Sequence, residues 1–292
     1  MQAALRVCEV CSGTTFTSLF EKDHHQWVRC EACSLERIDP QPTDDTLAAI
    51  YGKHYYDAWG LHNDTATVST LKKATFKYVL DNLPPLPRGS KLLDCGAATG
   101  FLLELAKERG LEPYGIELSE FGANAIAEKF GKGHVFRGEI ENATFADAKD
   151  GAFQAITMCD YIEHVRDPQR VLERAHAMLA PDGIIGLTTP DTSSLSRKGL
   201  GNGWSHYKVE HLYYFDRENI AKLLRRAGYT SIEFKPLWKS LNLKYIREIF
   251  ERYPHPVLSQ VARGLGKALP HRLQAKPLRF LTGEMLAIAR RA

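Results

Sequence analysis

Apolar and polar positions change their rhythm several times along the chain. Residues 14–30, TTFTSLFEKDHHQWVRC, mix β-branched and aromatic residues in short runs. That pattern predicts short strands around a solvated hairpin tip at His24 and His25. Leu71, Phe76, Val79, Leu80 and Leu83 then fall on one helical face, and PPLP ends that helix. From Ser90 onward, KLLDC, PYGIEL, HVFRG, AFQAITMCD, IIGLTT and YTSIEF read as strands. FLLELAKERG, SEFGANAIAEKFG, DPQRVLERAHAML and RENIAKLLRRAG read as helices between them, with Gly110 and APDG as stops. Such alternation predicts an α/β fold, a doubly wound sheet with helices on both faces. A long loop, residues 190–215, follows the fifth strand. Over 238–280 the rhythm breaks: Ile246, Ile249, Phe250 and Tyr253, then Val257, Val261, Leu265 and Leu269, are spaced as on amphipathic helices. EMLAIAR reads as a seventh and last strand, which makes 238–280 a helical insertion ahead of it.

Composition adds limits. At 44% hydrophobic and 25% charged residues, the 292-residue chain can bury a sizeable core and is not disordered. No run approaches the roughly 18 uninterrupted apolar residues of a membrane-spanning helix. MQAALRVCEVCSG lacks the charged start and apolar stretch of a secretory signal, so a cytoplasmic protein is expected. The net charge of +3 excludes a nucleic-acid binder that works by bulk charge. It hides an asymmetry: residues 236–292 carry 11 Lys and Arg against 3 Asp and Glu, so an acidic body precedes a basic tail.

Six cysteines stand at 8, 11, 30, 33, 95 and 159. The first four form C-x2-C-x18-C-x2-C, a zinc spacing. Two C-x-x-C turns aim four thiolates at one point and leave no open position for water, so the expected Zn2+ is structural. The alternative of two disulfides suits a secreted domain, against which the missing signal argues. Residues 6–35 therefore read as a zinc ribbon whose small core a metal supplements. Cys95 and Cys159 end apolar runs and are expected to be buried and inert. After the ribbon, IDPQPTDDT is a turn-rich connector, and YGKHYYDAW is aromatic enough to pack on something or to line a pocket. The organisation expected is a zinc ribbon at 1–38, an aromatic connector at 39–70 and a main domain at 71–292.

KLLDCGAATGFLLEL places Asp94-x-Gly96-x-x-x-Gly100 between a strand and a helix. Glycines let backbone approach a ligand, and the open end of such a strand is a binding crevice. Residues 101–106, FLLELA, lack the third glycine of a dinucleotide motif, and no P-loop lysine is present. Glu117 ends the second strand, where a carboxylate can hold two ribose hydroxyls. Gly138, Glu139 and Ile140 close the third strand and Asp160 the fourth.

On these residues the chain resembles the class I S-adenosylmethionine-dependent methyltransferases, over about 90–235 plus the final strand. LLDCGAATG is similar to the family's first motif, and CDYIEHVRDP to the segment after strand four in ubiquinone-type O-methyltransferases. CEVC…WVRCEACSLERIDPQPTDDTLAAIYGKHYY resembles zinc-ribbon methyltransferases of sugars and other secondary metabolites, though deoxysugar C-methyltransferases have longer cysteine spacing. The resemblance implies a Rossmann-like seven-stranded methyltransferase sheet. It implies an S-adenosylmethionine site formed by Asp94, Gly96, Ala97, Thr99, Gly100, Phe101, Glu117, Leu118, Glu139, Ile140, Cys159 and Asp160, beside the structural zinc at Cys8, Cys11, Cys30 and Cys33.

Methyl transfer to a hydroxyl needs a nucleophile aligned with the methyl group and a base near neutrality. His164, just past strand four, is the expected base, with a backbone-bonded helix-start histidine as the alternative; Glu163 can orient it or bind a metal. Trp204, His206, Tyr207, Glu210 and His211 lie in the long loop on the same sheet edge and are expected to contact the acceptor, His206 also as a catalytic group. His211 has a second reading, packed beneath LYYF. The expected reaction is O-methylation of a small sugar-like or phenolic acceptor. Alternatives are C- or N-methylation, or a zinc-ribbon binding module with a vestigial methyltransferase domain. The basic segment 238–280 reads as a lid, a dimer surface or a contact with an anionic membrane carrying a lipid-linked acceptor.

Overall fold

The computed structural model describes residues 7–50, 65–252 and 258–292. The aromatic stretch YGKHYYDAW, with Tyr253 and Val257, lies outside the described residues, as does the side chain of Ile249.

Three short strands open the chain: β1 (Phe16–Lys22), β2 (His25–Cys30) and β3 (Glu36–Ile38). Asp23 and His24 take positive φ at the hairpin tip between the first two. Helices α1 (Asp44–Ile50) and α2 (Thr65–Asn82) follow, the second beginning before the apolar stripe that announces it. Then come β4 (Lys91–Cys95), α3 (Phe101–Glu108), β5 (Glu112–Glu117), α4 (Glu120–Phe130), β6 (Val135–Arg137), β7 (Phe153–Cys159) and α5 (Pro168–Met178). The remainder is β8 (Leu179–Pro190), α6 (Leu195–Leu200), β9 (Tyr213–Tyr214), α7 (Arg217–Arg226), β10 (Tyr229–Leu241), α8 (Leu243–Arg252), α9 (Leu258–Ala268), α10 (His271–Gln274) and β11 (Leu278–Arg291).

The main sheet has seven strands in the order β10-β11-β8-β7-β4-β5-β6. The five from β8 to β6 run parallel, and β11 enters antiparallel between β8 and β10. The α/β doubly wound reading therefore holds. Parallel strands carry near-continuous apolar runs because both faces are covered: Leu92, Leu93, Ile156, Met158, Ile185 and Leu187 are fully buried. Two boundaries differ from the sequence reading. APDG does not interrupt the chain but opens β8, with Asp182 at positive φ. Residues 238–241 and 278–280, expected inside the helical insertion, extend β10 and β11, which pair from Trp238–Leu281 to Leu241–Leu278. The inserted helices occupy the interval between those strands. Among the described residues no helix is long and apolar enough to cross a membrane.

The smaller sheet has the order β1-β2-β3-β9. Its fourth strand comes from the main domain: Glu36 pairs with Tyr214 and Arg37 with Tyr213. Cys8, Val10, Cys30, Cys33 and Leu35 share one buried cluster with Met158, Leu187 and Leu223. The cysteine-bearing segment is thus built onto the α/β core along a side where periodicity alone shows no contact.

Candidate active site

Past Cys95 the chain turns through Gly96, Ala98 and Gly100, all at positive φ, before α3 begins. A Cβ on Gly96 would stand 2.8 Å from the Tyr161 ring, and one on Gly122 at 2.5 Å from the Ala98 carbonyl. Close approach therefore requires both glycines, and backbone conformation requires Gly96 as well. The amides of Gly96 and Ala97 both donate to the Ile116 carbonyl. Glu117 braces the same turn: its Oε2 accepts from the Ala98 amide and its Oε1 from the Ser119 amide, each at 2.8 Å.

Beneath the turn Asp94 is buried and accepts the Thr157 hydroxyl at 2.7 Å. Burial, with the nearby Glu117 charge, pushes its carboxyl up to about 7, although the Thr157 hydrogen bond opposes this. Lys129 Nζ caps the Thr99 carbonyl at 2.7 Å. The Thr99 hydroxyl is buried with no partner among the described residues, an orphan that a polar ligand in the crevice would satisfy. Leu118 is exposed beside Glu117, a shelf suited to an aromatic base. Glu139 is exposed, whereas Ile140 is fully buried. Phe101 and Cys159 are partly buried at the rim, and burial lifts the Cys159 thiol well above its usual range.

A second cluster lies one strand over. Asp160 sits at positive φ directly after β7. Lys239 of β10 reaches it at 3.0 Å and reaches Glu284 of β11 at 2.6 Å. Despite burial, Lys239 and Lys72 hold Asp160 below the usual carboxylate range. Burial lowers the Lys72 ammonium to about 8. His206 joins from the long loop, with Nε2 at 3.2 Å from the Thr282 carbonyl and Nδ1 at 3.6 Å from Glu284. Lys72, Lys239, Glu284 and Tyr161 escape the sequence reading. No motif marks them, because the lysines and Glu284 meet Asp160 only through helix packing and the pairing of β10 with β11.

His164 stands after β7, and its Nδ1 is 2.9 Å from the Glu210 carbonyl. If Nδ1 carries the proton it donates to that carbonyl, and Nε2 keeps the lone pair. Its ring packs edge-on against His211 at 4.7 Å. Burial holds both imidazoles below their usual pKa, His211 much further, with His164 as a like-charge neighbour. Glu163 is fully buried, with the Thr189 hydroxyl as its hydrogen-bonding neighbour. Burial drives its pKa well up. Glu163, His164 and His211 offer three donor atoms within 4.8 Å of one another, a set able to hold a divalent cation.

The long loop divides differently from the expectation that it faces the acceptor. Trp204 and Tyr207 are buried with Trp27, Ile38 and Tyr214. Trp204 Nε1 donates to Ser196 Oγ at 3.2 Å, and the Tyr207 hydroxyl donates to Glu36 of β3. Their aromatic faces are spent on holding the loop, which leaves them no surface for an acceptor. His211 lies beneath Tyr214, ring centroids 5.9 Å apart, as its packing alternative has it. Glu210 meets the site through its carbonyl.

The four N-terminal cysteines are free thiols whose sulfurs lie within 4.8 Å of one another. Cys8 to Cys33 is 3.5 Å and Cys11 to Cys30 is 3.6 Å. A tetrahedral shell with Zn–S near 2.3 Å puts sulfurs roughly 3.8 Å apart, so the donor set fits zinc. Burial pushes Cys8 up to about 11 and Cys33 higher still. A cation at the centre is what would let such thiols ionise together.

Comparison with known proteins follows the same lines. A family model described as a methyltransferase domain matches residues 68–233. The ubiquinone biosynthesis O-methyltransferase of Methylococcus capsulatus is 25% identical over 146 residues, covering 49% of this chain and 60% of that protein. The enzyme of the same name from Idiomarina loihiensis is 32% identical over 104 residues, covering 35% and 42%. The matches thus span 60% or less of these relatives' length. Among solved structures, phosphoethanolamine N-methyltransferase 2 of Haemonchus contortus with S-adenosyl-L-methionine superposes at TM-score 0.52 and 16% identity, covering 88% of this chain and 62% of that one. The [4+2]-cyclase SpnF superposes at TM-score 0.55 and 18% identity, covering 86% and 98%. At these identities the likeness concerns the fold, and the cyclase shows that the fold alone does not choose a reaction.

Proposed function

The chain belongs to the methyltransferase-domain family, of the class I S-adenosylmethionine-dependent kind, and from that premise we propose that it O-methylates a hydroxyl of a small sugar-like or phenolic acceptor. The observation that carries this reading is His164, an imidazole that burial keeps unprotonated at neutral pH, on the short turn that follows β7. The relatives' names, ubiquinone biosynthesis O-methyltransferase, support oxygen as the methylated atom.

S-adenosylmethionine, when bound, supplies a methyl carbon already activated toward displacement. The residues proposed to hold it are the Gly96–Gly100 turn at the amino-acid end, Glu117 at the ribose and Leu118 with the Glu139–Ile140 backbone at the adenine. His164 takes the acceptor's proton at Nε2, and the Glu210 carbonyl steadies the resulting imidazolium through Nδ1–H. Asp160, fixed by Lys239, lines the approach between the two. His206, turned to Thr282 and Glu284, is assigned to positioning that wall. Cys8, Cys11, Cys30 and Cys33 are assigned a structural zinc.

The grouping of the buried Glu163 carboxyl with His164 and His211 favours a second reading of the same reaction. A divalent cation on Glu163, His164 and His211 would bind the acceptor oxygen and lower its pKa, replacing His164 as base. Label transfer from methyl-tritiated S-adenosylmethionine to a panel of catechols and sugars tests both readings, with and without added Mg2+ or Mn2+. Loss of transfer in His164→Ala, with S-adenosylmethionine affinity retained, is expected. Full transfer in that variant, or no calorimetric binding of S-adenosylmethionine at high micromolar concentration, would overturn the proposal.

A further inference from the structure

The helices between β10 and β11 form two layers. α8 is the one nearer the charged cluster: its Tyr245 is partly buried within range of the Lys239, Asp160 and Glu284 charges. α9 packs on the outer side of α8. Its Ser259 hydroxyl bonds to the Phe250 carbonyl at 3.4 Å, and Gly266 lies against Arg247, where a Cβ would come within 2.7 Å. Ser259 and Ala262 are buried on that seam.

The outward face of α9 is the unusual one. Small residues sit inside, while Val261 and Leu265, one helical turn apart, are 52% and 46% exposed. A helix that only covered a site would have the opposite polarity. Leu273 on α10 and Leu278 at the start of β11 are exposed as well. Six of the ten large hydrophobic residues exposed among the described residues lie between Trp238 and Leu281. Arg263 and Lys267 flank the aliphatic stripe, and residues 242–277 carry 7 Lys and Arg against 2 Asp and Glu.

We propose that α9 and α10 form a docking surface for an anionic lipid bilayer, with Val261 and Leu265 entering the headgroup boundary and Arg263 and Lys267 pairing with lipid charge. Aliphatic residues between basic flanks on a helix lying parallel to the surface are what such an interface rewards. The charge complement selects lipid over a second copy of this chain, whose identical basic face would repel it. Docking in this way carries α8, and the acceptor side beneath it, to the membrane surface. This goes beyond the proposed reaction and is read separately from it.

The test is co-sedimentation of the full, zinc-loaded chain with vesicles of phosphatidylcholine alone or mixed with phosphatidylglycerol, at low and high salt. Binding at least about tenfold stronger to the anionic vesicles, and weakened by salt, is expected. V261S/L265S should reduce it about tenfold, and R263Q/K267Q should abolish the preference for anionic lipid. These positions are exposed, and unchanged melting will show that the variants fold. Equal sedimentation with both vesicle types, or none, would overturn the proposal. So would a dimer in sedimentation equilibrium that V261S/L265S converts to monomer.

Discussion

The Asn219 side-chain amide donates to the Cys33 carbonyl at 2.8 Å, and both groups are buried. Asn219 also closes the capping box at the start of α7. One residue therefore ties a zinc-type knuckle to a helix of the methyltransferase sheet. Asn219→Ala is expected to cost about 1–3 kcal/mol, the penalty of an unsatisfied buried carbonyl plus a weakened cap. Urea unfolding of the whole chain measures it.

Because the cysteine segment shares its core with the α/β sheet, metal loss should not spare the rest. One zinc per chain is expected by elemental analysis. Cys33→Ser should lose the metal and lower a single cooperative melting transition. Two independent transitions would show that the segment folds by itself.

Glu117 serves the crevice through charge as well as shape. Glu117→Gln keeps the size but weakens hydrogen bonds to a charged acceptor, each worth roughly 1.5–3 kcal/mol. S-adenosylmethionine affinity is expected to fall about ten- to hundredfold by calorimetry, and the melting temperature to fall as well, because one of the Ala98 and Ser119 amides loses its acceptor.

Asp94 makes stability depend on pH in a definite direction. Burial pushes its carboxyl up to about 7 in the folded chain, against an ordinary value of 3.8. Between those values the folded chain keeps a proton that the unfolded chain has lost. The contribution is fully present below about pH 4 and is lost as pH rises through about 7. Asp94→Asn removes this dependence. The melting temperature of the native chain should therefore fall relative to the variant between pH 5 and pH 8.

Lys239 holds two carboxylates, one of them almost wholly buried. Lys239→Met should destabilise toward the lower end of roughly 3–5 kcal/mol, since Asp160 keeps some exposure. Adding Glu284→Gln should recover much of that loss. A strictly additive double variant in urea unfolding would show that the two side chains are not coupled.

The seven strands, their helices and the glycine turn were legible because each rests on local spacing. KLLDC and Glu117 are recognisable at any sheet position, since a parallel strand needs its apolar run and its open end whatever lies beside it. Trp204 and Tyr207 were misread for a related reason. An aromatic residue in a polar loop has the same spacing whether it faces an acceptor or a core, and only β3, arriving from the N-terminus, decides it. Lys239 and Glu284 carry no motif, being 45 residues apart and joined by strand register.

Local chemistry in the chain alone determined the α/β class, the four-thiol site and the acid-and-glycine crevice. Spacing of a few residues is enough for each, and neighbouring atoms enforce it. Tertiary structure alone decided three things: the insertion of β11 between β8 and β10, the union of the cysteine segment with β9, and the outward turn of Val261 and Leu265. Those depend on which surfaces meet, and hydrophobic periodicity says that a face is apolar without saying what it will touch.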